Sequence, residues 1–413
     1  MTTKALSGLA APRSLLRHQK KLGAVVSQSI SSLSSLLLAA IAARELGAEG
    51  LGAFAILFSI VITFNALTSG YVGDSLTVLD RFDPDIRRAL LAAAVTSTIL
   101  AIITAWASAL ALGLGAGATL AFAGALTAWV WEEYFRRLLI NIHEFWKLAI
   151  NDAAFLLTAL ASIGVLHSFD RLTLSTLFLA MILGSTSCVV LATFQLPTIE
   201  LALPERGSIA VRKLNSFAIW RAAQTAIRSL SMSVVRIAVA LVATTAAVGD
   251  LEAARILATP MTTVVAGAAA FILPRMAAEE RGEAGARQTP VVKVSLLLGG
   301  VSLVIGIICT LLVPTIAAPI LGDRVAVDQL AALHWALFAS AFGLGVPLGN
   351  ALVAMKQSRL TFWIRLLDAV LGVSLATLLA WAISPSWTPL GLTIGALIGA
   401  GCCFIALRRE GRI

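Results

Sequence analysis

The sequence predicts an all-α polytopic membrane protein of about twelve transmembrane helices, and three observations carry that prediction. Hydrophobic residues make up 59% of the 413 and charged residues only 13%, too little polar surface for a water-soluble chain of this length. Apolar runs of about 20 residues, the length that crosses a hydrocarbon core, recur throughout. Long segments that alternate apolar and polar, as in a membrane barrel, are missing, so the spans are helices.

Taken in order, the spans read as 23–43, 51–78, 89–112, 117–136, 148–167, 173–196, 220–248, 253–272, 292–318, 330–354, 362–383 and 389–407. The connections alternate between very short ones and basic ones. Of the 31 Lys and Arg, 24 fall on one side, beginning with Lys4, Arg13, Arg17, Lys20 and Lys21 in the N-terminal segment 1–22. Only Arg44, Arg171, Arg255 and Arg324 fall on the other, and the remaining three lie inside one span. Positive charge gathers on the cytoplasmic side, so both termini are expected there, with an uncleaved first helix. The net charge of +9 is thereby spent on topology, and nucleic acid is not an expected partner. Cys188, Cys309, Cys402 and Cys403 all sit in apolar runs, as small core residues do.

The longest polar connection, 197–217, divides the spans into two sets of six. We therefore expect an N-terminal lobe, 1–210, and a C-terminal lobe, 211–413. The lobes resemble each other in part. RELGAEGLGAF (44–54) and AVGDLEAARIL (247–257) are both Gly-centred turns on the outer side. LAINDAAF (148–155) and IRLLDAVL (364–371) place Asp152 and Asp368 at matching positions near the inner face. A parallel repeat of two six-helix bundles is a common transporter plan.

The seventh span, WRAAQTAIRSLSMSVVRIAVALVATTAAVGD (220–250), carries Arg221, Arg228 and Arg236. A guanidinium near the bilayer centre costs roughly 2.5–3.5 kcal/mol on insertion scales and cannot shed its charge. Arg221 and Arg228 align on a helix, and Arg236 lies about 80° round from Arg228. The stripe must therefore face protein or water. Measured back from Val248, Arg236 lies about 18 Å deep and reads as the charge nearest the midplane. Arg221, at the headgroup level, reads as an interfacial anchor, with Arg228 in between. Gln224 and Ser231 can add amide or hydroxyl contacts.

Other polar residues are fewer. Ser27, Ser31, Ser34 and Ser35 share one face of the first span, which close helix packing explains best and a wet cavity wall explains second. Asn65 is deep in the second span, and Gly70 and Gly73 flank Tyr71 just before Asp74. Glu132, Glu133, Arg136 and Arg137 crowd the inner end of the fourth, where Glu133 and Arg137 should pair as i,i+4 neighbours. Candidates for an acid that takes up H+ or Na+ are Asp74, Glu133, Asp152 and Asp368, the last with Arg365 three residues earlier as an ion-pair partner. The histidines have no metal-ligand spacing, and neither the GLGAG run at 113–117 nor any other stretch has the context of a phosphate-binding loop. No catalytic residue, metal or cofactor is expected.

Five stretches resemble the Wzx-type polysaccharide flippases of the multidrug/oligosaccharidyl-lipid/polysaccharide (MOP) exporter superfamily. They are ARELGAEGLGAFAIL (43–57), WEEYFRRLLINIHEFWKLAINDAAF (131–155), VGDLEAARILATP (248–260), AAAFILPRMA (268–277) and LGDR (321–324). They are packing and topology motifs spread over most of the chain. Two terminal helices fewer than in the fourteen-helix lipid II flippases points to the twelve-helix oligosaccharide branch. The resemblance implies two lobes that alternately open a cationic cavity to each side of a bacterial cytoplasmic membrane. A polyprenyl-diphosphate-linked oligosaccharide would cross in that cavity while its lipid tail stays in the bilayer.

On that reading Arg236, Arg228, Arg221, Gln224 and Asn65 are the substrate-binding candidates, with Arg236 first, because guanidinium pairs bidentately with phosphate oxygens. The competing role for Arg236 is a structural ion pair with an acid of the other half, Asp74 or Glu133. Expected partners are the lipid-linked glycan, membrane lipids and, beyond them, a polysaccharide polymerase or glycosyltransferases. Three rivals remain. A multidrug exporter of the same superfamily would need central acids for cationic drugs, a membrane glycan polymerase or glycosyltransferase would need sizeable loops, and a non-transporting scaffold for cell-wall enzymes would not need the arginines.

Overall fold

A computed structural model describes residues 13–79, 82–169, 172–201, 211–280, 289–355 and 357–413. The described residues contain helices and no strand. Helix α1 (Arg13–Thr68) is interrupted at Gly47, whose φ of 68° only glycine adopts freely. A π-helical segment, Ser69–Gly73, leads into α2 (Asp74–Val78). Then come α3 (Pro84–Ala111), α4 (Ala116–Asn141), α5 (Phe145–Ser168), α6 (Leu174–Gln195), a single turn α7 (Thr198–Leu201) and α8 (Val211–Val242). Helices α9 (Thr245–Glu280), α10 (Val291–Leu321), α11 (Gln329–Ala354), α12 (Ser358–Ala382) and α13 (Thr388–Arg409) complete the chain. Nine helical stretches among the described residues are long and apolar enough to cross a membrane, one of them, Leu22–Leu76, long enough to do so twice. The chain is a multi-pass membrane protein. Residues 1–12 of the N-terminal segment, residues 202–210 of the 197–217 connection, Arg81, Arg171, Arg281, Arg287 and Lys356 lie outside the described residues.

Local chemistry sets the helix ends. Asp83 caps α3 by accepting from the Asp85 amide at 2.9 Å, with Pro84 at the first helical position. Thr173 and Thr176 form a reciprocal capping box at the start of α6. One end differs from expectation. The seventh span ends at Val242, not at Val248, because Thr244 accepts from the Ala247 amide at 3.1 Å and starts α9 at Thr245. The run AVALVATTAAV is apolar on both sides of that cap, so hydropathy alone passes over it.

The helices are inside-out relative to those of a water-soluble protein. On α10, Ser295, Gly299, Ser302, Gly306 and Thr310 recur every three or four residues and are buried, while Leu296, Leu297, Val304, Ile308 and Leu311 are exposed. Small residues admit the α11 backbone closely, and large aliphatic ones face lipid. Ser295 donates to the Leu344 carbonyl at 2.8 Å, and Ser340 donates to the Gly299 carbonyl at 2.9 Å.

Two compact units result. Unit 1 holds the chain as far as Leu38 and Phe64–Ala223, and unit 2 holds Ala39–Thr63 and Gln224–Ile413. The middle of α1 thus packs with the second set of helices, and the border falls inside α8. Unit 1 has a core of Phe122, Leu126, Leu177 and Phe178, and a second at one end from Val72, Ile86, Leu90, Leu139 and Leu148. In unit 2, the two Gly-centred turns meet. A Cβ on Gly52 would collide with the Thr245 carbonyl, and one on Gly249 with the Ala48 carbonyl. From the other side, Arg324 of the LGDR turn donates to the Glu45 carbonyl at 2.7 Å.

Candidate functional site

The three arginines of α8 have three different surroundings. In unit 2, Arg236 Nε donates to Glu252 Oε1 at 2.7 Å, and Arg255 Nε donates to Glu252 Oε2 at 2.6 Å. Glu252 has 6% of its side chain accessible and Arg236 has 14%, so the Arg236–Glu252 pair is buried while Arg255 reaches the surface. The acid that pairs Arg236 is therefore neither Asp74 nor Glu133 but the glutamate of the VGDLEAAR stretch, one helix on. With α8 ending at Val242, Arg236 is six residues, about 9 Å, from the helix end. It is not the charge nearest the middle of the span.

That position belongs to Arg228, in the middle of the apolar stretch Ala218–Val242. Its guanidinium carbon lies 3.8 Å from the centroid of the Phe342 ring, a cation–π contact that leaves the N–H groups free to donate. No carboxylate among the described residues forms an ion pair with it, and its side chain stays accessible. The charges that act on it are Arg365, Asp368 and Arg255. Arg365 stands 3.5 Å from Asp368, and glycines make room for both: Gly349 beside Arg365 and Gly399 beside Asp368. Across this part of unit 2, Arg228, Arg236, Arg255 and Arg365 outnumber Glu252 and Asp368 by two positive charges. Gln224 is half-buried on α8, and the Ser231 hydroxyl is turned back onto the Ile227 carbonyl at 2.7 Å.

Arg221 belongs to unit 1, where it holds Asp74 with Nη2 at 2.7 Å and Nε at 2.8 Å. It is an ion-pair partner, not a free interfacial anchor. Asp74 follows the π-helical segment, whose Gly73 leaves room for the Arg137 side chain. Arg137 in turn pairs with Glu133 at 2.5 Å, the expected i,i+4 contact.

Unit 1 also encloses a polar cavity of about 160 Å³, lined chiefly by Gln28, Ser31, Ser34, Asn65, Glu132 and Asp152. The serine face of the first span thus forms a cavity wall as well as a packing surface. Ser27 donates to Asp152 Oδ2 at 2.5 Å and accepts from Arg136 at 3.2 Å, while Arg136 pairs directly with Asp152. Each of the four coupling candidates therefore has an arginine beside it: Asp74 with Arg221, Glu133 with Arg137, Asp152 with Arg136 and Asp368 with Arg365. Sequence reasoning passed over Glu252 and Glu132. An i+16 spacing on the next helix was the signal for the first; nothing short of the packing separates the second from its neighbours.

The fold matches solved transporters. An inward-facing multidrug resistance MATE family transporter of the MOP superfamily aligns with a TM-score of 0.71 at 15% identity, covering 94% of this chain and 98% of that one. The lipid II flippase MurJ, in an inward closed conformation, aligns at 0.70 and 11%, covering 93% and 87%. A MOP superfamily transporter from Pyrococcus furiosus, described as having a binding pocket of reversed polarity, aligns at 0.58 and 15%, covering 94% of each chain. No protein-family model and no curated protein matches the sequence. The chain has the MOP transporter fold.

Proposed function

We propose that this chain is a secondary transporter that flips a polyprenyl-diphosphate-linked oligosaccharide across a bacterial cytoplasmic membrane by alternating access, as a Wzx-type flippase. The observation that carries this is Arg228: a guanidinium near the middle of an apolar span, in no ion pair with a carboxylate among the described residues, in surroundings with two positive charges in excess. A diphosphate esterified at both ends carries about two negative charges, one per phosphate as in a phosphodiester. Arg228 would donate to it bidentately, with Arg365 as the neighbouring cation and Gln224 in reach along α8. Arg236 would support that site through Glu252 and Arg255 rather than bind directly. The fold shared with a protein named as a lipid II flippase agrees with this reading. Both termini would be cytoplasmic, and polymerase or glycosyltransferases would act on either side of the transport step.

The test is reconstitution of the full chain in vesicles with a labelled polyprenyl-diphosphate-linked sugar, reading its passage between leaflets. Losing charge-assisted hydrogen bonds costs roughly 1.5–3 kcal/mol. Arg228→Ala should accordingly slow flipping by about 10- to 150-fold, and Arg228→Lys by less. Flipping at the unaltered rate by Arg228→Ala would refute the role. The second reading is a multidrug exporter, favoured by the MATE likeness alone. A net positive wall repels cationic drugs, so efflux of a cationic dye by the same vesicles would support that alternative instead.

A further inference from the structure

A cavity of unit 2 has no part in the flipping reading. It has a volume of about 670 Å³ and opens beside the first turn of α10, lined chiefly by Thr289, Val291, Val292, Lys293, Leu296 and Arg412. The apolar stretch Val291–Leu321 begins there, at the level where a bilayer passes from headgroups to hydrocarbon. Its walls are of two kinds. Val292 and Leu296 are apolar, and beside them the exposed Leu297 belongs to the face of α10 turned to lipid. The other wall is rich in donors. Arg412, with 14% of its side chain accessible, donates from Nη2 to Glu279 Oε2 at 3.0 Å. Its Nε stands 3.3 Å from Glu280 Oε1, yet it makes no hydrogen bond and is shut off from solvent. A guanidinium has five N–H groups, so donors remain to spare. Arg275 and Arg412 match Glu279 and Glu280, which leaves Lys293, exposed and in no ion pair among the described residues, as the charge in excess. No side chain caps α10 at Pro290, so the amides of Val291, Val292 and Lys293 have no partner within the helix.

We propose that this cavity holds the headgroup phosphate of an anionic phospholipid from the surrounding leaflet, with Lys293 and Arg412 as its cations and the open first turn of α10 as its amide donors. A phosphodiester only accepts hydrogen bonds, and the cavity offers it donors with capacity left. The start of a 31-residue helix adds the positive end of its dipole. The apolar wall decides the source of the phosphate. Inorganic phosphate or a nucleotide has nothing to lay on Val292 and Leu296. An acyl chain leaving the glycerol runs along that wall onto the lipid-facing side of α10. Basic pockets between membrane helices take lipid headgroups by the same combination. The phosphate also has a structural consequence. Glu279, near the end of α9, accepts from the Thr289 amide at 2.9 Å and from Arg412 beyond α13, so one carboxylate already joins the ends of three helices. Ile413 packs with Val291 and Leu407 in the core beside it. A phosphate shared by Lys293 and Arg412 fastens the start of α10 to the segment after α13 a second time. The site concerns the lipid around the chain and not its cargo, so it stands whether or not a glycan is moved.

The test uses the purified full chain, stripped of lipid in neutral detergent, with native mass spectrometry after addition of phosphatidylglycerol and phosphatidylcholine in equal amounts. One phosphatidylglycerol should stay on each chain in preference to phosphatidylcholine. A basic side chain near an anionic headgroup is worth about fivefold in affinity, so Lys293→Gln should weaken retention by about that factor. Lys293→Glu should abolish the preference, and Lys293→Arg should keep it. Arg409→Glu makes the same charge change at an exposed residue outside the cavity and should leave the preference in place. Thermal unfolding gives a second reading, because a ligand of the folded chain raises its midpoint. Phosphatidylglycerol should raise it in the unaltered chain and not in Lys293→Glu, and inorganic phosphate should not raise it at all. Equal retention of the two lipids overturns the proposal, as does a preference that survives Lys293→Glu or is lost equally in Arg409→Glu. Stabilisation by inorganic phosphate alone would show a free-anion site instead and overturn it too.

Discussion

Glu252 ties two arginines of unit 2 together. Each of its oxygens accepts from a different arginine, and it has almost no surface of its own. In a low-dielectric interior such a group holds together because the one acid accepts from both arginines, and removing it leaves two cations facing each other. Glu252→Gln should therefore destabilise the chain by about 3–5 kcal/mol, the scale for breaking a buried ion pair, read as lowered thermal unfolding in nanodiscs. Arg255→Gln should cost less, because Arg255 is 38% accessible and solvent screens its share. Equal losses in the two variants would show that Glu252 is held by something other than this pairing. Arg228 stands apart from this group. It has an aromatic face in place of an acid, so it can meet an anion without first giving up a partner.

Among the elements, the glycines separate into two kinds. Gly52 and Gly249 meet carbonyl oxygens of the opposing turn, atoms of the backbone that cannot swing aside as a side chain does. Alanine at either position should cost about 1–3 kcal/mol through overpacking, seen in thermal unfolding. By contrast Gly164, inside α5, has open space where its Cβ would be. Gly164→Ala should be neutral or stabilising by up to about 1 kcal/mol, the helix-propensity difference. If Gly52→Ala proved as harmless as Gly164→Ala, the two turns would not be in close contact. Gly52 of RELGAEGLGAF and Gly249 of AVGDLEAARIL, stretches read first as matched turns of an internal repeat, thus belong to one shared contact. Gly73 shows the same economy in unit 1, where the π-helical segment passes close to Arg137.

At the scale of the whole molecule, two local sites carry opposite excess charge. The cavity of unit 1 carries one negative charge in excess, and the Arg228 region of unit 2 carries two positive charges in excess. With the basic connections in the cytoplasm, as proposed, a phosphatase fused after Ile413 should be inactive and one inserted in the 113–117 turn active. The opposite pattern would invert the topology and with it the direction of flipping. Helix positions were open to reading in advance: the span read as 330–354 is helix Gln329–Ala354, and 173–196 is Leu174–Gln195. Hydropathy and caps are properties of neighbouring residues, so the chain alone determines that it crosses a membrane many times and roughly where. The i,i+4 pair of Glu133 with Arg137 was legible for the same reason. Only the tertiary structure decided that Arg236 is tied to Glu252, that Arg221 holds Asp74, that Arg228 lies over the Phe342 ring in no ion pair among the described residues, and that Glu132 lines the cavity of unit 1. Those outcomes depend on how helices far apart in sequence are rotated toward one another, and rotation is set by packing across the whole unit.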